Sequence, residues 1–454
     1  MGIGIVIIAI AVVALFSSSQ ASSAPYATAD EGGFTPFVTD TGPQETLAPT
    51  DVPAIDPLVP VGSLLEPLTG HTATLLPDGR VVIAGGSNGD QVSAGIEIYD
   101  PRARSFGRAG SLVTARSGQT ASLLTDGTIL LAGGQDTSGL ALASAEIYDP
   151  KTGISRTAGR MTDARSGASA VTLDDGRVLV VGGSADGGAF VDSVEIYDPT
   201  RRIFSSAGTT DPVMGGVTAA KLDDGRVLVA GGNDKTGAAQ AAGVFDPAGN
   251  AFSAVEPMAM SRTDATSCLL PGGLVLVLGG RDTFGVVIAT AEMYDPLMGT
   301  FIGLTELQDR RALGTTTLLP DGSVLLVGGV DNGGYPIQTV DRYYWSQSAR
   351  SEILGTMAIP RSGHTATLLA DGSVLITGGR TSTTTVTASA GLYIPEGGAT
   401  VSPPPAAESP AASGSPVAGG SAAASGSASV GPPASAGSLP SGSSPAASAS
   451  PPAG

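Results

Sequence analysis

Five arginines recur at one position of an internal repeat, and an acidic residue recurs at a second position of the same repeat. A guanidinium group carries a permanent charge and binds carboxylates through paired hydrogen bonds. The arginines could therefore form a ring that attracts an anion, in a chain whose net charge is −18. The arginines are Arg116, Arg165, Arg262, Arg311 and Arg361, and the acids are Glu97, Glu146, Glu195, Glu292 and Asp341.

The same residues could instead neutralise each other as structural ion pairs. Leu68 and Met214 replace the arginine in two repeats, and Gly243 and Gly391 replace the acid in two repeats. The fourth repeat has neither charge, which is the correlation that ion pairing predicts. Pairing within a repeat and pairing between neighbouring repeats fit the sequence equally well. We favour the ion pairs and keep the anion site as the alternative.

Two histidines, His71 and His364, occupy one position in the first and the last repeat. They could bind a transition metal with help from carboxylates, or respond to pH. The simpler interpretation is a consensus residue of the shared segment Gly-His-Thr-Ala-Thr-Leu-Leu. The only cysteine, Cys268, excludes an intramolecular disulfide and any cluster built on two thiolates. We therefore predict no metal and no cofactor.

The composition limits the classes of partner. The chain has 454 residues, and its 41 acidic residues outnumber 23 basic residues. Lysine occurs only at positions 151, 221 and 235, so a basic surface that follows a phosphate backbone has little to be built from. This composition argues against nucleic acid and anionic lipid surfaces as partners, and we predict no nucleic-acid partner and membrane contact only through an N-terminal anchor.

Seven Gly-Gly pairs at separations of 48 to 50 residues show that one structural unit is repeated. Seven residues before each pair lies a turn dipeptide, which is Asp-Gly in all copies except the fifth. Asp-Gly between two apolar segments predicts a β-hairpin, because both central residues of a type I′ turn need positive φ. The pairs begin at Gly85, Gly133, Gly182, Gly231, Gly279, Gly328 and Gly378.

A third strand is predicted thirteen or fourteen residues beyond each Gly-Gly pair, where an aromatic residue recurs at Tyr99, Tyr148, Tyr197, Phe245, Tyr294, Tyr343 and Tyr393. A fourth short strand carries Phe106, Phe204, Phe252 and Phe301. Four strands in about 49 residues correspond to one blade of a β-propeller. The repeats therefore predict an all-β, seven-bladed propeller with four antiparallel strands per blade.

These motifs resemble the kelch repeat family, of the exported bacterial type. The resemblance rests on Gly-Gly after the second strand, the downstream tyrosine and Arg-Ser-Gly before the first strand, and it covers roughly residues 56 to 401. The chain departs from the family in the fourth strand, where phenylalanine replaces the usual tryptophan and Trp345 lies elsewhere. The resemblance implies that the connection into the first strand and the loop after Gly-Gly lie on one face.

Closure of the ring is predicted to use the N-terminal segment. The seventh repeat ends after its third strand, whereas Ile55-Asp56-Pro57 and Gly62-Ser63-Leu64 match the third-strand end and the fourth-strand end of the first repeat. We expect this segment to add the missing outer strand of the last blade, which would protect a sheet edge. His71 and His364 would then lie in neighbouring blades.

The two ends of the chain predict export. Residues 3 to 16 form an apolar run that fits a signal peptide over residues 1–24, although no basic residue precedes Arg80. A retained membrane anchor is the alternative. Residues 25–54 predict an acidic Pro/Thr-rich linker, 55–401 the propeller, and 402–454 a disordered tail rich in Ser, Ala, Pro and Gly. We expect a monomer that is secreted or held at the bacterial cell surface.

The sequence is compatible with two functions. The first is a noncatalytic module that binds an extracellular protein or carbohydrate, which could be anionic, through the Arg-Ser-Gly face and the loop aromatics Phe190, Phe284 and Tyr335. The second is an enzyme with its site at the propeller mouth. The galactose oxidase propeller is distantly similar, and its copper site would require two His, two Tyr and a Cys bonded to one Tyr. The sequence has no match to that set, so we favour the first function and predict no catalytic residue.

Overall fold

The structure is a computed structural model that describes residues 56–210, 215–234, 237–346 and 349–395. The predicted export segment, the tail and the linker region lie outside these ranges. Within them the chain forms thirty β-strands and one short 3-10 turn, Asp186–Gly188. Among the described residues there is no helix of the length and apolarity that crossing a bilayer requires.

Each sequence repeat forms an antiparallel set of four strands, and a single parallel pairing of Ser111 with Ile154 joins the sets of the first two repeats. In the first six repeats the four strands follow chain order, with a small hairpin inserted in the fourth. The first two repeats give β2 (Thr72–Leu75), β3 (Val81–Ala84), β4 (Gly95–Asp100), β5 (Ser105–Ser111), β6 (Thr120–Leu123), β7 (Ile129–Ala132), β8 (Ser144–Asp149) and β9 (Ile154–Arg160). The third gives β10 (Ser169–Thr172), β11 (Val178–Val181), β12 (Ser193–Asp198) and β13 (Ile203–Thr209). The fourth gives β14 (Val217–Lys221), β15 (Val227–Gly231), β18 (Ala242–Asp246) and β19 (Ala251–Ala254), with a small extra hairpin of β16 (Asn233–Asp234) and β17 (Gly237–Ala238).

The last three repeats complete the set. The fifth gives β20 (Thr266–Leu269), β21 (Val275–Leu278), β22 (Ala291–Asp295) and β23 (Thr300–Leu304). The sixth gives β24 (Thr315–Leu318), β25 (Val324–Val327), β26 (Ile337–Tyr344) and β27 (Arg350–Arg361). The seventh combines β28 (Thr365–Leu368), β29 (Val374–Thr377) and β30 (Ala390–Tyr393) with the N-terminal strand β1 (Leu58–Pro60).

The second strand of each sheet is buried along its whole length, since its two faces pack against the neighbouring sheets. Val178–Val181 and Val324–Val327 are buried at every position, as their unbroken apolar sequences predict. In four sheets the buried aromatic residue of the third strand packs on the phenylalanine of the fourth strand. The ring centroids of Tyr99 and Phe106 lie 4.9 Å apart in a tilted arrangement, a geometry that aromatic pairs favour.

The first strands of the sheets lie against one another in a closed order, β2, β6, β10, β14, β20, β24, β28 and again β2. These strands therefore surround a central axis, with the remaining strands of each sheet outside them. The predicted all-β propeller of four-stranded antiparallel sheets is confirmed. The count of seven blades stays the prediction that the sequence repeats make.

The ring closes through β1, as the sequence predicts. β1 pairs with β30 in the register Leu58↔Tyr393, and the resulting sheet has the order β1, β30, β29, β28. The Leu64 amide then donates to the carbonyl oxygen of Ala388 at 2.9 Å, which matches the bond from Leu112 to Ala94 in the first repeat. The outer edge of the last sheet is therefore covered by a strand from the other end of the domain.

The Gly-Gly pairs join each sheet to the next. In the second repeat, the amide of Gly134 donates to the Arg165 carbonyl oxygen at 2.9 Å, and Arg165 belongs to the third repeat. Gly133 has φ of 69°, and a Cβ at this residue would overlap the same Arg165 carbonyl oxygen. Any larger residue would both strain the backbone and separate the two sheets.

The two faces of the propeller differ in the segments that they carry. Isolated bridges such as Thr69↔Ser87 and Ser362↔Arg380 join the connection into each first strand to the residue after Gly-Gly. These segments form what we name the loop face. The Asp-Gly hairpin turns lie at the other ends of the same strands and form the turn face. The arrangement that the family resemblance implied, with both kinds of segment on one face, is therefore present.

Candidate functional site

The recurring arginines are buried, because each side chain turns back onto the strands of its own repeat. Arg116 is fully buried, and its Nη2 lies 2.7 Å from Oε1 of Glu146 on β8. Its Nη1 donates to the carbonyl oxygens of Gly133 and Ser144 at 2.7 and 3.0 Å. The same pairing joins Arg165 to Glu195, Arg262 to Glu292 and Arg311 to Asp341, at 3.0, 2.7 and 2.7 Å.

The paired glutamates also fasten the connection that enters each sheet. Oε2 and Oε1 of Glu146 accept hydrogen bonds from the backbone amides of Val113 and Thr114 at 2.6 and 2.8 Å. Each glutamate of this kind therefore links a guanidinium group, its own strand and the chain that arrives from the preceding sheet. These contacts are the structural ion pairs considered from the sequence, and each pair forms within one repeat. Ligand contact through the arginines stays a prediction.

The first and seventh repeats, which meet where the ring closes, each lack one partner. Glu97 is 4% exposed, its repeat has Leu68 in place of the arginine, and it accepts a hydrogen bond from the Leu65 amide at 2.9 Å. Burial raises the pKa of Glu97. Arg361 has no acid on β30, and its guanidinium donates to the carbonyl oxygens of Gly378 and Ser389 at 2.8 and 2.9 Å.

Asp56 makes the backbone contact that the missing acid of the seventh repeat would make. Its Oδ2 accepts a hydrogen bond from the Ala358 amide at 2.8 Å, and Ala358 corresponds to Ala259, whose amide donates to Glu292 at 2.7 Å. Burial lowers the pKa of Arg361 to about 10, and the charge of Asp56 opposes that change. The N-terminal segment thus provides both a strand and a carboxylate.

The two histidines lie at neighbouring sheets, as ring closure predicts. Nε2 of His71 lies 2.9 Å from Oγ1 of Thr377 and 3.2 Å from Oγ1 of Thr365. Nε2 of His364 lies 3.0 Å from Oγ1 of Thr315. Burial lowers the pKa of His71 to about 4 and that of His364 to about 3, so both imidazoles are neutral at pH 7.

Backbone hydrogen bonds join neighbouring repeats around the mouth of the channel on the loop face. At five junctions they connect the residues at the third position of the Arg-Ser-Gly segment, for example Gly118 N to Gly70 O at 2.8 Å and Gly167 N to Gly118 O at 2.8 Å. Five of these residues are glycines with φ between 61° and 73°. Asp264 and Leu313 hold the same left-handed conformation, with φ of 57° and 56°, a strain that tends to concentrate at functional positions.

The mouth opens into a cavity of about 570 Å³ along the axis, a size within the range of ligand pockets. Most of the wall is made of small and hydroxyl side chains from the first strands. The charged groups among its described lining residues are Asp264 and Arg380, while His364 is neutral. Burial raises the pKa of Asp264, and Arg281 opposes that change with Nε 4.0 Å from Oδ2.

The three aromatic residues predicted as contacts lie exposed on loops of the loop face. Phe284 is 89% exposed, Tyr335 60% and Phe190 42%. The loops of Phe284 and Tyr335 are braced against each other, because the Val287 amide donates to Oδ1 of Asn332 in the next repeat at 2.6 Å. In the same two loops Val287 and Val330 form a small buried cluster with Ala312. The aromatic rings of Phe284 and Tyr335 therefore project from a rigid base.

Sequence reasoning missed several residues of this face. Asp264 and Leu313 stand where the motif has glycine, and Arg281 and Arg380 directly follow Gly-Gly pairs. The loss of a motif glycine was visible in the sequence and could have indicated the first two. The role of Asp56 depends on ring closure, so only its match to the third-strand end was visible.

Residues 164–209, which span the third repeat, match the family profile described as the Kelch motif. The third repeat therefore carries a Kelch motif, and the fold of the chain is that of a kelch-type propeller. No curated protein matches it. Among solved structures, this kelch propeller is similar to a novel fungal alcohol oxidase of the AA5 family in complex with copper, with a TM-score of 0.62, 17% identity, and coverage of 74% of this chain and 76% of that one. It is also similar to YjhT, with a TM-score of 0.51, 14% identity, and coverage of 64% and 99%.

At these identities the likeness concerns the fold alone. The kelch propeller fold supports a binding or scaffold role, and the oxidase among the similar folds leaves catalysis open. A copper site needs several imidazole, phenolate or thiolate donors that converge on one point. Among the described residues no three His, Cys, Asp or Glu side chains do so.

The individual donors also do not fit a copper site of the oxidase type. The histidines direct Nε2 to threonine hydroxyl groups, and burial raises the pKa of Cys268 to about 12, so its thiolate is scarce. The tyrosines of the third strands are buried between the sheets. The described part of the kelch propeller therefore supplies no copper site of this kind.

Proposed function

We propose that this kelch propeller is an exported, noncatalytic binding module that recognises an extracellular protein or glycan through its loop face. The observation that carries the proposal is the pair of exposed rings, Phe284 and Tyr335, on adjacent and mutually braced loops. Large aromatic side chains on a rigid base bury much area at a small entropic cost when a partner binds. Export is supported by the apolar run at residues 3 to 16.

The recurring arginines contribute indirectly to this function. Because their guanidinium groups are held inside the sheets, they keep the loops of the loop face at fixed positions. Direct contact between a partner and these arginines would need the sheets to open. The proposal therefore assigns recognition to the loops and stability to the ion pairs.

The test compares exposed apolar residues on the two faces. The double variant Phe284→Ser and Tyr335→Ser should reduce capture of extracellular proteins and glycans from a defined panel by about 10-fold or more. The matched control is Leu297→Ser and Met298→Ser, whose side chains are 93% and 73% exposed in a turn of the opposite face. Equal losses in both variants, or none in either, would contradict recognition by the loop face.

The enzymatic alternative has its own measurement. Metal analysis of the purified full chain, together with oxidase assays on primary alcohols, tests whether this chain has the activity of the alcohol oxidase whose fold it resembles. One equivalent of copper per chain would overturn the noncatalytic proposal.

A further inference from the structure

The axial cavity holds two opposite charges that the proposed loop-face recognition does not use. Asp264 comes from the fifth repeat and Arg380 from the seventh, and both line the same cavity. Leu313, from the repeat between them, also lines the cavity and is 50% exposed. The order across the mouth is therefore a carboxylate, an apolar side chain and a guanidinium.

The hydroxyl groups of the cavity wall are largely occupied by the protein itself. Ser169 donates to the Val217 carbonyl oxygen at 2.9 Å, and the hydroxyl of Thr315 pairs with Nε2 of His364 at 3.0 Å. Thr218 and Ser267 are hydrogen-bonded to each other. A ligand would therefore find its strongest interactions at the charged groups rather than at the hydroxyl groups.

Neither charge is fully compensated. Arg281 approaches Asp264 with Nε 4.0 Å from Oδ2, beyond hydrogen-bonding distance, and also donates to the Gly285 carbonyl oxygen. Nη1 of Arg380 donates to the Thr383 carbonyl oxygen at 3.3 Å, and its guanidinium has four further N–H donors. The strained backbone of Asp264 and Leu313 places these two side chains at the mouth, where the five other repeats have glycine.

We propose that the axial cavity binds a small zwitterion, namely a free amino acid or a short peptide with both termini free. Its ammonium group contacts Asp264, its carboxylate contacts Arg380, and its apolar side chain contacts Leu313. A carboxylate and a guanidinium that line one cavity favour a ligand with both charges over a simple anion or a neutral polyol. The cavity of about 570 Å³ accommodates a molecule of this size.

The first experiment is calorimetric titration of the full chain with leucine and glycyl-leucine. N-acetyl-leucine lacks the ammonium group, leucinamide lacks the carboxylate, and glucose serves as the neutral polyol. We expect leucine and glycyl-leucine to bind at least about 10-fold more tightly than N-acetyl-leucine or leucinamide, since each of these two capped compounds loses a charge-assisted contact. Equal binding of the capped compounds, tighter binding of glucose, or no binding of leucine and glycyl-leucine at millimolar concentration overturns the proposal.

Two variants assign the ends of the ligand. Asp264→Asn, which tolerates the left-handed backbone, should remove the preference for leucine over N-acetyl-leucine and keep the preference over leucinamide. Arg380→Gln should do the reverse. If each variant loses both preferences, Asp264 does not bind the ammonium group alone and Arg380 does not bind the carboxylate alone, which contradicts the assignment.

Controls separate binding from folding and from the loop-face partner. Asp264→Gly restores the glycine of the other repeats, so it should lose leucine binding while its melting temperature stays equal or rises. Arg226→Gln on the turn face and the Phe284→Ser variant should both keep leucine binding. A loss of leucine binding in Arg226→Gln would contradict the assignment to the axial cavity.

Discussion

The buried arginines show how a charged residue is accommodated in the interior of this propeller. Arg116 has two carbonyl oxygens, a serine hydroxyl and the Glu146 carboxylate around one guanidinium. Removing one partner of such a set leaves the other buried without compensation, which costs more than the pair contributes as a whole. Arg361 differs because the corresponding position on β30 is Gly391.

This difference predicts two unequal losses of stability. Arg116→Ala should lower the free energy of unfolding by about 3 to 5 kcal/mol, since it strands the Glu146 carboxylate. Arg361→Ala should cost about 2 kcal/mol, because it strands only neutral acceptors within its sheet. Urea unfolding of the full chain measures both values.

The exposed pair of Arg226 with Asp224 on the turn face provides the control, and Arg226→Ala should change the free energy of unfolding by less than about 1 kcal/mol. If Arg116→Ala keeps its stability and instead loses a bound anion, the ring of arginines is a ligand site after all.

At the scale of elements, the Gly-Gly pairs combine a special backbone conformation with a close contact to the next sheet. Among the described residues, every pair except the third ends a second strand and at the same time contacts the carbonyl oxygen of a residue in the connection that enters the next sheet. The glycines of the Asp-Gly turns also have positive φ, but space is open around several of them. Backbone conformation and close approach can therefore be separated by experiment.

Gly127→Ala and Gly133→Ala form a matched pair within one hairpin. Gly127 has φ of 83°, and apart from its chain neighbours no atom lies within 4 Å of the place that a Cβ would take, so its substitution should cost about 1 to 2 kcal/mol of strain. Gly133→Ala should cost at least about 3 kcal/mol, because it also pushes Arg165 away. Thermal or urea unfolding measures the difference, and equal losses would show that the contact between sheets is unimportant.

The N-terminal strand β1 provides a second test at this scale. Leu58 and Leu64 are buried in two different apolar clusters, and removing buried leucines costs about 2 to 5 kcal/mol each. Deletion of residues 54 to 64 should therefore lower the melting temperature sharply. Asp56→Ala should cost only about 1 kcal/mol, since it removes the carboxylate and keeps the strand. A deletion that melts at the original temperature would disprove closure by β1.

For the whole molecule, acid is predicted to weaken the contacts that the two histidines make between neighbouring sheets. His71 reaches from the first repeat to Thr377 of the seventh, and His364 of the seventh repeat pairs with Thr315 of the sixth. The folded state holds the pKa of His71 at about 4, below its ordinary value of 6.5. Above about pH 7.5 the imidazole is neutral in both the folded and the unfolded chain, so its contribution to stability does not depend on pH there.

As the pH falls from about 6.5 to 4, the unfolded chain takes up the proton first and the folded state loses stability. His71 alone should account for about 3 kcal/mol of this loss. His71→Gln removes the titration, so its free energy of unfolding should fall less between pH 7 and pH 4 than that of the unchanged chain. Parallel pH curves for the two proteins would contradict this origin of the acid sensitivity.

Much of this architecture could be predicted from the amino-acid sequence because its causes are local and are repeated. Asp-Gly requires a hairpin turn, a continuous apolar strand requires cover on both faces, and seven copies at one spacing require a repeated unit. Even the closure by β1 could be predicted, since Asp56 and Leu64 copy the motif positions of the first repeat.

Only the tertiary structure shows which groups the charged residues contact. The sequence left Arg116 between a ligand and Glu146, because residues 30 positions apart meet only when their sheet folds. It likewise could not place Asp264, Leu313 and Arg380 around one cavity, since they belong to three repeats and meet only when the ring closes. Local pattern determines each sheet, whereas the surroundings of a side chain depend on contacts between distant segments.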